Sequence, residues 1–269
     1  MNQFSILSWN VHGRGREITT PFKVVLPRLI QNESDIICLQ EMTDAETKFS
    51  DVSEFAAYNV FIPAYNRRRD SRKIGFNHNV LLSKYPIVSA EELEFPKFSN
   101  MPIPMERAVR ADIRIGETTL RVYNCHFVLR LAGMATRLAQ LEFILADAQN
   151  HKGPIIVCGD MNAATPKAGM SRQILKWWAR WPREELHFMG RQVQRSEKEI
   201  FQQQIEKHGF KEILDLSQPT WSFFRFDIWQ QLQLKLDWFL VKNLNTVEAT
   251  LGEYLTDHRP ISVKCKIMA

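Results

Sequence analysis

Long apolar runs are missing from this sequence. Nowhere in its 269 residues is there a stretch near the roughly 18 apolar residues that a membrane-spanning helix needs. A basic and then apolar leader is missing as well, since Met1 to Asn10 lead straight into a strand-like segment. The expected location is therefore the cytoplasm, or outside it by an export route that the sequence does not show. Cysteine is scarce. Cys38, Cys125, Cys158 and Cys265 each lie in or beside an apolar β-like segment, and no two form a Cys-x-x-Cys pair. That argues against a structural zinc site and for reduced thiols packed as small hydrophobes. Internal repeats, low-complexity segments and recognisable linkers are also lacking. A single domain over 1–269 is the expectation.

Hydrophobic residues make up 45% of the chain and charged residues 24%, as in ordinary globular proteins. A net charge of +5 and a pI near 9.0 suit an anionic partner, either nucleic acid or an acidic membrane surface. Short strand-like runs alternate with helical stretches, which predicts an α/β architecture. The strands are expected at 4–11, 36–40, 80–83, 109–115, 120–128, 155–159, 236–241 and 261–267. The helices are expected at 22–31, 132–150 and 197–208, where apolar residues recur at helical spacing. The stretch 166–196 is irregular and rich in Trp and Arg, among them Trp177, Trp178, Trp181, Arg172 and Arg180. It reads as an insertion, either a packed surface element or a lid facing nucleic acid, because Arg interleaved with aromatics can hold phosphates and stack on bases.

Polar residues at the ends of apolar strands are the informative oddity, since burying them without partners costs free energy. Ile155 to Gly159 run into Asp160 and Asn162, two residues apart and so on one side of an extended chain. Ile36 to Gln40 end in Glu41, and Ser8-Trp9 end in Asn10. Asn124 and His126 share one strand face, Asp237 interrupts an aromatic and aliphatic strand, and Asp257-His258 precede the last strand. Each has an ordinary structural explanation when read singly: a turn, a helix start, a satisfied buried histidine. Asp237 needs a buried partner, and His258 is a natural one. If Val109, Ala111, Ile113 and Ile115 face the core, Arg107 lies on the same face at the strand's start. There it serves either as a bidentate phosphate clamp or in a structural ion pair.

Taken in order, Ser-Trp-Asn-Val, Leu-Gln-Glu, Asn-Val-Leu-Leu-Ser-Lys-Tyr-Pro, Asn-Cys-His, Gly-Asp-Met-Asn, Leu-Asp-Trp-Phe and Thr-Asp-His-Arg-Pro closely resemble the endonuclease/exonuclease/phosphatase superfamily from Phe4 to Ile267. That group includes DNase I-like nucleases, abasic-site endonucleases, inositol-polyphosphate phosphatases and neutral sphingomyelinases. The resemblance implies an α/β (α+β) four-layer sandwich, two packed mixed β-sheets flanked by helices, with the site at one edge. It further implies a Mg²⁺ (or Mn²⁺) cofactor held by Glu41, with Asn10 beside it and Asp257 next to the metal. Asp160 would bind or orient the attacking water. His258, oriented by Asp237, would be general base or phosphate ligand. His126 and Asn162, with Asn79 in support, would bind the phosphate, and Asn124 and Arg107 are added to that set from their strand faces. This chemistry suits the residues, because Mg²⁺ takes hard oxygen ligands and a carboxylate fixes a histidine's tautomer. No Ser or Cys nucleophile motif is present.

The motifs define the machinery and leave the substrate open. The basic pI and the 166–196 stretch favour a nuclease or DNA-repair phosphodiesterase. The alternatives are a phospholipid or inositol-phosphate hydrolase, a small-molecule phosphatase, or a binding module, which the filled catalytic positions argue against. The longer Asn-containing motif that abasic-site enzymes place before the Leu-Asp element is not found. Instead the aromatic segment 222–229 precedes it, read either as a wedge beside a displaced base or as core.

Overall fold

In the computed structural model, which describes residues 3–11, 22–42, 49, 52–63, 78–96, 107–128, 134–166, 197–215, 217–222 and 233–268, the apolar runs become strands buried on both faces. One sheet has the order β12 (Leu244–Leu251), β13 (Ile261–Ile267), β1 (Gln3–Asn10), β2 (Ile36–Met42), β4 (His78–Ser83), β3 (Asn59–Phe61). The other runs β10 (Trp221–Ser222), β11 (Gln233–Lys242), β8 (Ile155–Pro166), β7 (Thr118–His126), β6 (Arg107–Ile115), β5 (Ile87–Glu94), with β9 (Lys211–Glu212) also on β11. Both sheets are mixed: β1–β2 and β7–β8 are parallel. A parallel neighbour needs a crossover. α1 (Phe22–Asn32) supplies the first and α2 (Met134–Ala148) the second.

These crossovers build the layers. Val25 and Leu29 of α1 pack on Leu7, Trp9, Ile37 and Leu39, the outer face of the first sheet. Leu141, Ile144 and Leu145 of α2, with Phe201 and Ile205 of α3 (Glu197–Lys207), pack on Tyr123, Val157 and Trp238 of the second. Between the sheets lie Ile6, Ile36, Cys38, Val109, Ala111, Ile156, Cys158 and Phe239. The fold is the four-layer sandwich expected. The first halves of β2 and β8 are covered on both sides, so their sequences run continuously apolar instead of alternating. All four cysteines are buried free thiols.

Where the chains leave this core toward the site, the backbone is bent. Gly159 has φ 128°, and a Cβ there would stand 2.0 Å from the Cys125 carbonyl oxygen of the neighbouring strand. Because that neighbour is backbone in a parallel ladder, it cannot yield. Gly159→Ala should lower stability by at least about 3 kcal/mol, through strain and separation of β7 from β8. Chemical denaturation checks this, and a loss below about 1 kcal/mol, the worth of one hydrogen bond, would contradict it.

The Trp- and Arg-rich stretch at 167–196 and the aromatic residues 223–229 lie outside the described residues. No helix among the described residues is long and apolar enough to cross a membrane.

Candidate active site

The polar strand ends converge where the two sheets meet. Asn10 closes β1, and its amide donates to Glu41 Oε1 (3.3 Å) and to Asp160 Oδ2 (3.0 Å), joining a carboxylate from each sheet. Glu41 lies at a register shift of β2 against β4 and has φ 57°; Asn162 has φ 51°. Left-handed backbone at non-glycine residues stores strain, which gathers at functional sites. Asp160 Oδ1 accepts the Asn162 N–H at 2.8 Å, and the Asn162 amide donates to the Phe127 carbonyl at 2.9 Å. His126 pairs with Asp160 across the β7–β8 ladder, and its Nε2 is 3.7 Å from Glu41 Oε1 and 3.9 Å from Asp160 Oδ2.

The second half of the site is a histidine held by an acid. His258 Nδ1 meets Asp237 Oδ2 at 2.8 Å, which leaves Nε2 3.6 Å from Asp160 Oδ2. Thr256 locks this loop to β1. Its hydroxyl oxygen accepts from the Trp9 indole (3.2 Å) and the His258 N–H (3.1 Å), and lies 3.1 Å from the Asn10 carbonyl. Trp221 forms a bridge with His258, and its indole donates to Asp257 Oδ2 at 3.0 Å.

Burial sets the electrostatics. It pushes the Asp160 carboxyl up to about 6, and the neighbouring Asp237 pushes the same way, against His258, His126 and the Asn162 N–H. For His258 burial alone would favour the neutral ring, yet Asp237, Asp257 and Asp160 together hold its pKa well above 6.5. Asp160 and His258 thus share charge across 3.6 Å.

The family model described as Endonuclease/Exonuclease/phosphatase family matches this chain over residues 7–258, from the middle of β1 to the site histidine. The chain belongs to that family. Members of the endonuclease/exonuclease/phosphatase family are phosphoester hydrolases, generally dependent on divalent metals. Solved structures agree on the fold. A family member from Bacteroides vulgatus superposes with a TM-score of 0.68 at 14% identity, over 100% of both chains. A humanized D. rerio TDP2 gives 0.64 at 15% identity, over 98% of this chain and 99% of that one. D. rerio TDP2 complexed with a single-strand DNA product gives 0.62 at 14%, over 98% and 99%. No curated protein sequence matches the chain.

Asn10, Glu41, Asp160, Asn162, His126, Asp237, Asp257 and His258 are thus brought to one end of the sandwich. Three other expected site residues are used in its frame. Asn124 directs its amide to the Leu39 and Val80 carbonyls (3.0 and 2.9 Å) and accepts from Gln40 (2.6 Å), tying the sheets together. A phosphate would have to break those bonds. The Asn79 amide donates to the Arg107 and Asn124 carbonyls. Arg107 lies on the inter-sheet side as the alternation required, but its guanidinium pairs with Glu92 (2.9 Å) and Glu94 (3.1 Å). That is the ion-pair arrangement.

The donor set fits a hard divalent cation. Glu41 and Asp160 present oxygens on either side of the Asn10 amide, and burial has raised the carboxyl of Asp160, which a cation would stabilise as carboxylate. Asp160, Asp237 and His258 also place ligand atoms within 4.8 Å of one another. That trio differs from the expected Glu41, Asn10 and Asp257, and an ion within it would compete with the 2.8 Å Asp237–His258 bond. The oxygens around Asn10 are the better match to Mg²⁺.

Thr256, Thr220 and Trp221 also support the site, and sequence reasoning misses all three. Thr256 and Trp9 sit inside the motif words themselves. Thr220 carries no local signal, because its partners are backbone groups in β11.

Proposed function

We propose that the protein is a divalent-metal-dependent phosphodiesterase that hydrolyses its substrate by direct attack of water, with nucleic acid as the substrate class. One observation carries this reading: Asp160 Oδ2 lies 3.0 Å from Asn10 Nδ2, 3.6 Å from His258 Nε2 and 3.9 Å from His126 Nε2. A carboxylate ringed by an amide and two imidazoles can hold water against an anionic phosphoryl group.

Glu41 would hold the cation, with Asn10 and Asp257 completing its surroundings. When bound, Mg²⁺ or Mn²⁺ supplies Lewis acidity and a template for the phosphoryl oxygens. Asp160, held by the Asn10 amide and the Asn162 N–H, is placed to take the water's proton. The bond from water oxygen to phosphorus forms as the bond to the leaving oxygen breaks. Of the two roles open to His258, base or phosphate ligand, its charge balance supports the second: three carboxylates keep the ring protonated, so Nε2–H faces a phosphoryl oxygen. His126 and Asn162 meet the remaining oxygens. The net charge of +5 and the likeness to a TDP2 solved with a DNA product support nucleic acid.

The protein should hydrolyse bis-p-nitrophenyl phosphate with added Mg²⁺ or Mn²⁺, lose that activity in chelator, and melt at a higher temperature with metal than without. Chelator-indifferent turnover would remove the metal. In a panel of single- and double-stranded DNA, RNA, sphingomyelin, phosphoinositides and sugar phosphates, DNA should turn over fastest. A lipid or sugar phosphate in that place would overturn the substrate class.

A further inference from the structure

Strand β11 carries Asp237 across a stretch where, among the described residues, its outer edge has no neighbouring strand. β10 pairs with Gln233 and Leu234, and β9 pairs with Leu240 and Val241. Between them the ladder to β8 is also irregular, with the register shifting between Lys235 and Asp237. Buried backbone groups there still need partners. Side chains provide them. Thr220 Oγ1 accepts both the Leu236 N–H (3.0 Å) and the Asp237 N–H (2.9 Å). Lys235 Nζ donates to the Asp237 carbonyl at 3.1 Å. The Glu212 carboxylate accepts the Phe239 N–H at 3.1 Å and lies 3.4 Å from Lys235 Nζ.

Lys235 is only 1% exposed. Its ammonium is divided among Glu212, the Asp237 carbonyl and the face of Trp238, whose ring centre is 5.0 Å away. A buried ion pair adds little stability by itself, because apolar residues of similar size commonly do as well. What an apolar pair cannot do is donate to a main-chain carbonyl where the ladder is irregular.

We propose that Lys235, buried against Glu212, and Thr220 are positioning residues. They clamp the Asp237 peptide from its carbonyl and its N–H, and so aim the Asp237 carboxylate at His258. The inference rests on the hydrolytic reading of the Asp237–His258 pair. The pair's 2.8 Å bond leaves little room for a shifted strand, and misplacement by about 1 Å costs on the order of 100-fold in rate.

Four variants test it: Lys235→Met, which keeps the stem without the charge; Lys235→Met/Glu212→Gln, which removes both charges; Thr220→Val, which keeps shape without the acceptor; and Thr220→Ser, which retains the acceptor. On bis-p-nitrophenyl phosphate with saturating Mg²⁺, the first three should lose about tenfold or more in kcat with KM nearly unchanged, and Thr220→Ser should stay near the wild type. In a His258→Ala background the same substitutions should have no further effect, since their influence passes through that pair. Equal losses in both backgrounds, or a kcat within about twofold of wild type in any folded one of the first three, overturn the proposal. If Lys235→Met does not fold, the double variant and Thr220→Val carry the same test.

A second readout does not need activity. The His258 Nδ1 proton, assigned by its absence in His258→Ala, should give a downfield NMR signal in the wild type and Thr220→Ser and lose it in the other variants. An unchanged signal in those variants overturns the proposal. The expected signal pattern in a wild type that hydrolyses no phosphoester would support the clamp while rejecting the hydrolytic reading.

Discussion

Asp160→Asn should lower kcat roughly 1,000-fold, the middle of the range for losing an acid–base group, and yet raise the melting temperature of the metal-free protein at pH 8. Both effects come from one buried carboxylate. Its pKa stands at about 6 in the fold against 3.8 as a free side chain, so the folded state binds a proton that the unfolded state has released. Between those values the unfolded chain holds fewer protons, and stability falls as pH rises through the window. Above it the ionised carboxylate costs on the order of 3 kcal/mol, the worth of about two pKa units. Asparagine removes that cost. It can still accept the Asn162 N–H, but its amide cannot accept from Asn10 as well, a loss of about 1 kcal/mol. The net gain is about 2 kcal/mol, which is several degrees in a chain of this size. At pH 4 the gain should vanish, because the native side chain is then protonated in the fold. Equal or lower melting at pH 8 would mean that desolvation does not govern Asp160. Such a stability gain at the expense of activity is the usual mark of a functional buried charge.

The same cost explains why much of the site is legible in the order of residues. A carboxylate or amide ending an apolar run has to be justified, and Asn10, Glu41, Asp160 and Asp237 end or interrupt such runs. Covered strands such as β2 and β11 are equally plain, and the three described helices announce themselves by periodicity. The edges do not. β5 reads Ile-Val-Ser-Ala-Glu-Glu-Leu-Glu, and β12 leaves six successive residues exposed, so neither shows a buried face. That gap has a consequence for the site. Alternation places Arg107 on the correct side, but its partners Glu92 and Glu94 lie on β5, which no pattern reveals. Without that strand the clamp and the ion pair cannot be told apart. The clamp on Asp237 is hidden for another reason: Thr220 and Lys235 act on main-chain atoms, which leave no pattern in side-chain order.

His258→Ala should lower kcat at least about 100-fold, as expected for removing a preorganised donor to a developing anionic charge. Asp237→Asn should fall between this variant and the wild type, since it leaves the ring in place but weakens both its orientation and its charge. Combining the two should cost no more than His258→Ala alone, because the pair acts as a unit. A loss under about tenfold for His258→Ala would remove His258 from the catalytic set. The pH profile separates its two candidate roles. Burial opposes the charged ring, but Asp237, Asp257 and Asp160 raise its pKa well above 6.5, so it is protonated at neutral pH. As a phosphate ligand it contributes below that raised pKa, and its contribution is lost as pH rises through it. A general base would show the reverse, with activity climbing over the same range. The wild type should therefore show a falling alkaline limb that the residual activity of His258→Ala lacks. A rising limb in its place would return the proton-accepting role from Asp160 to His258.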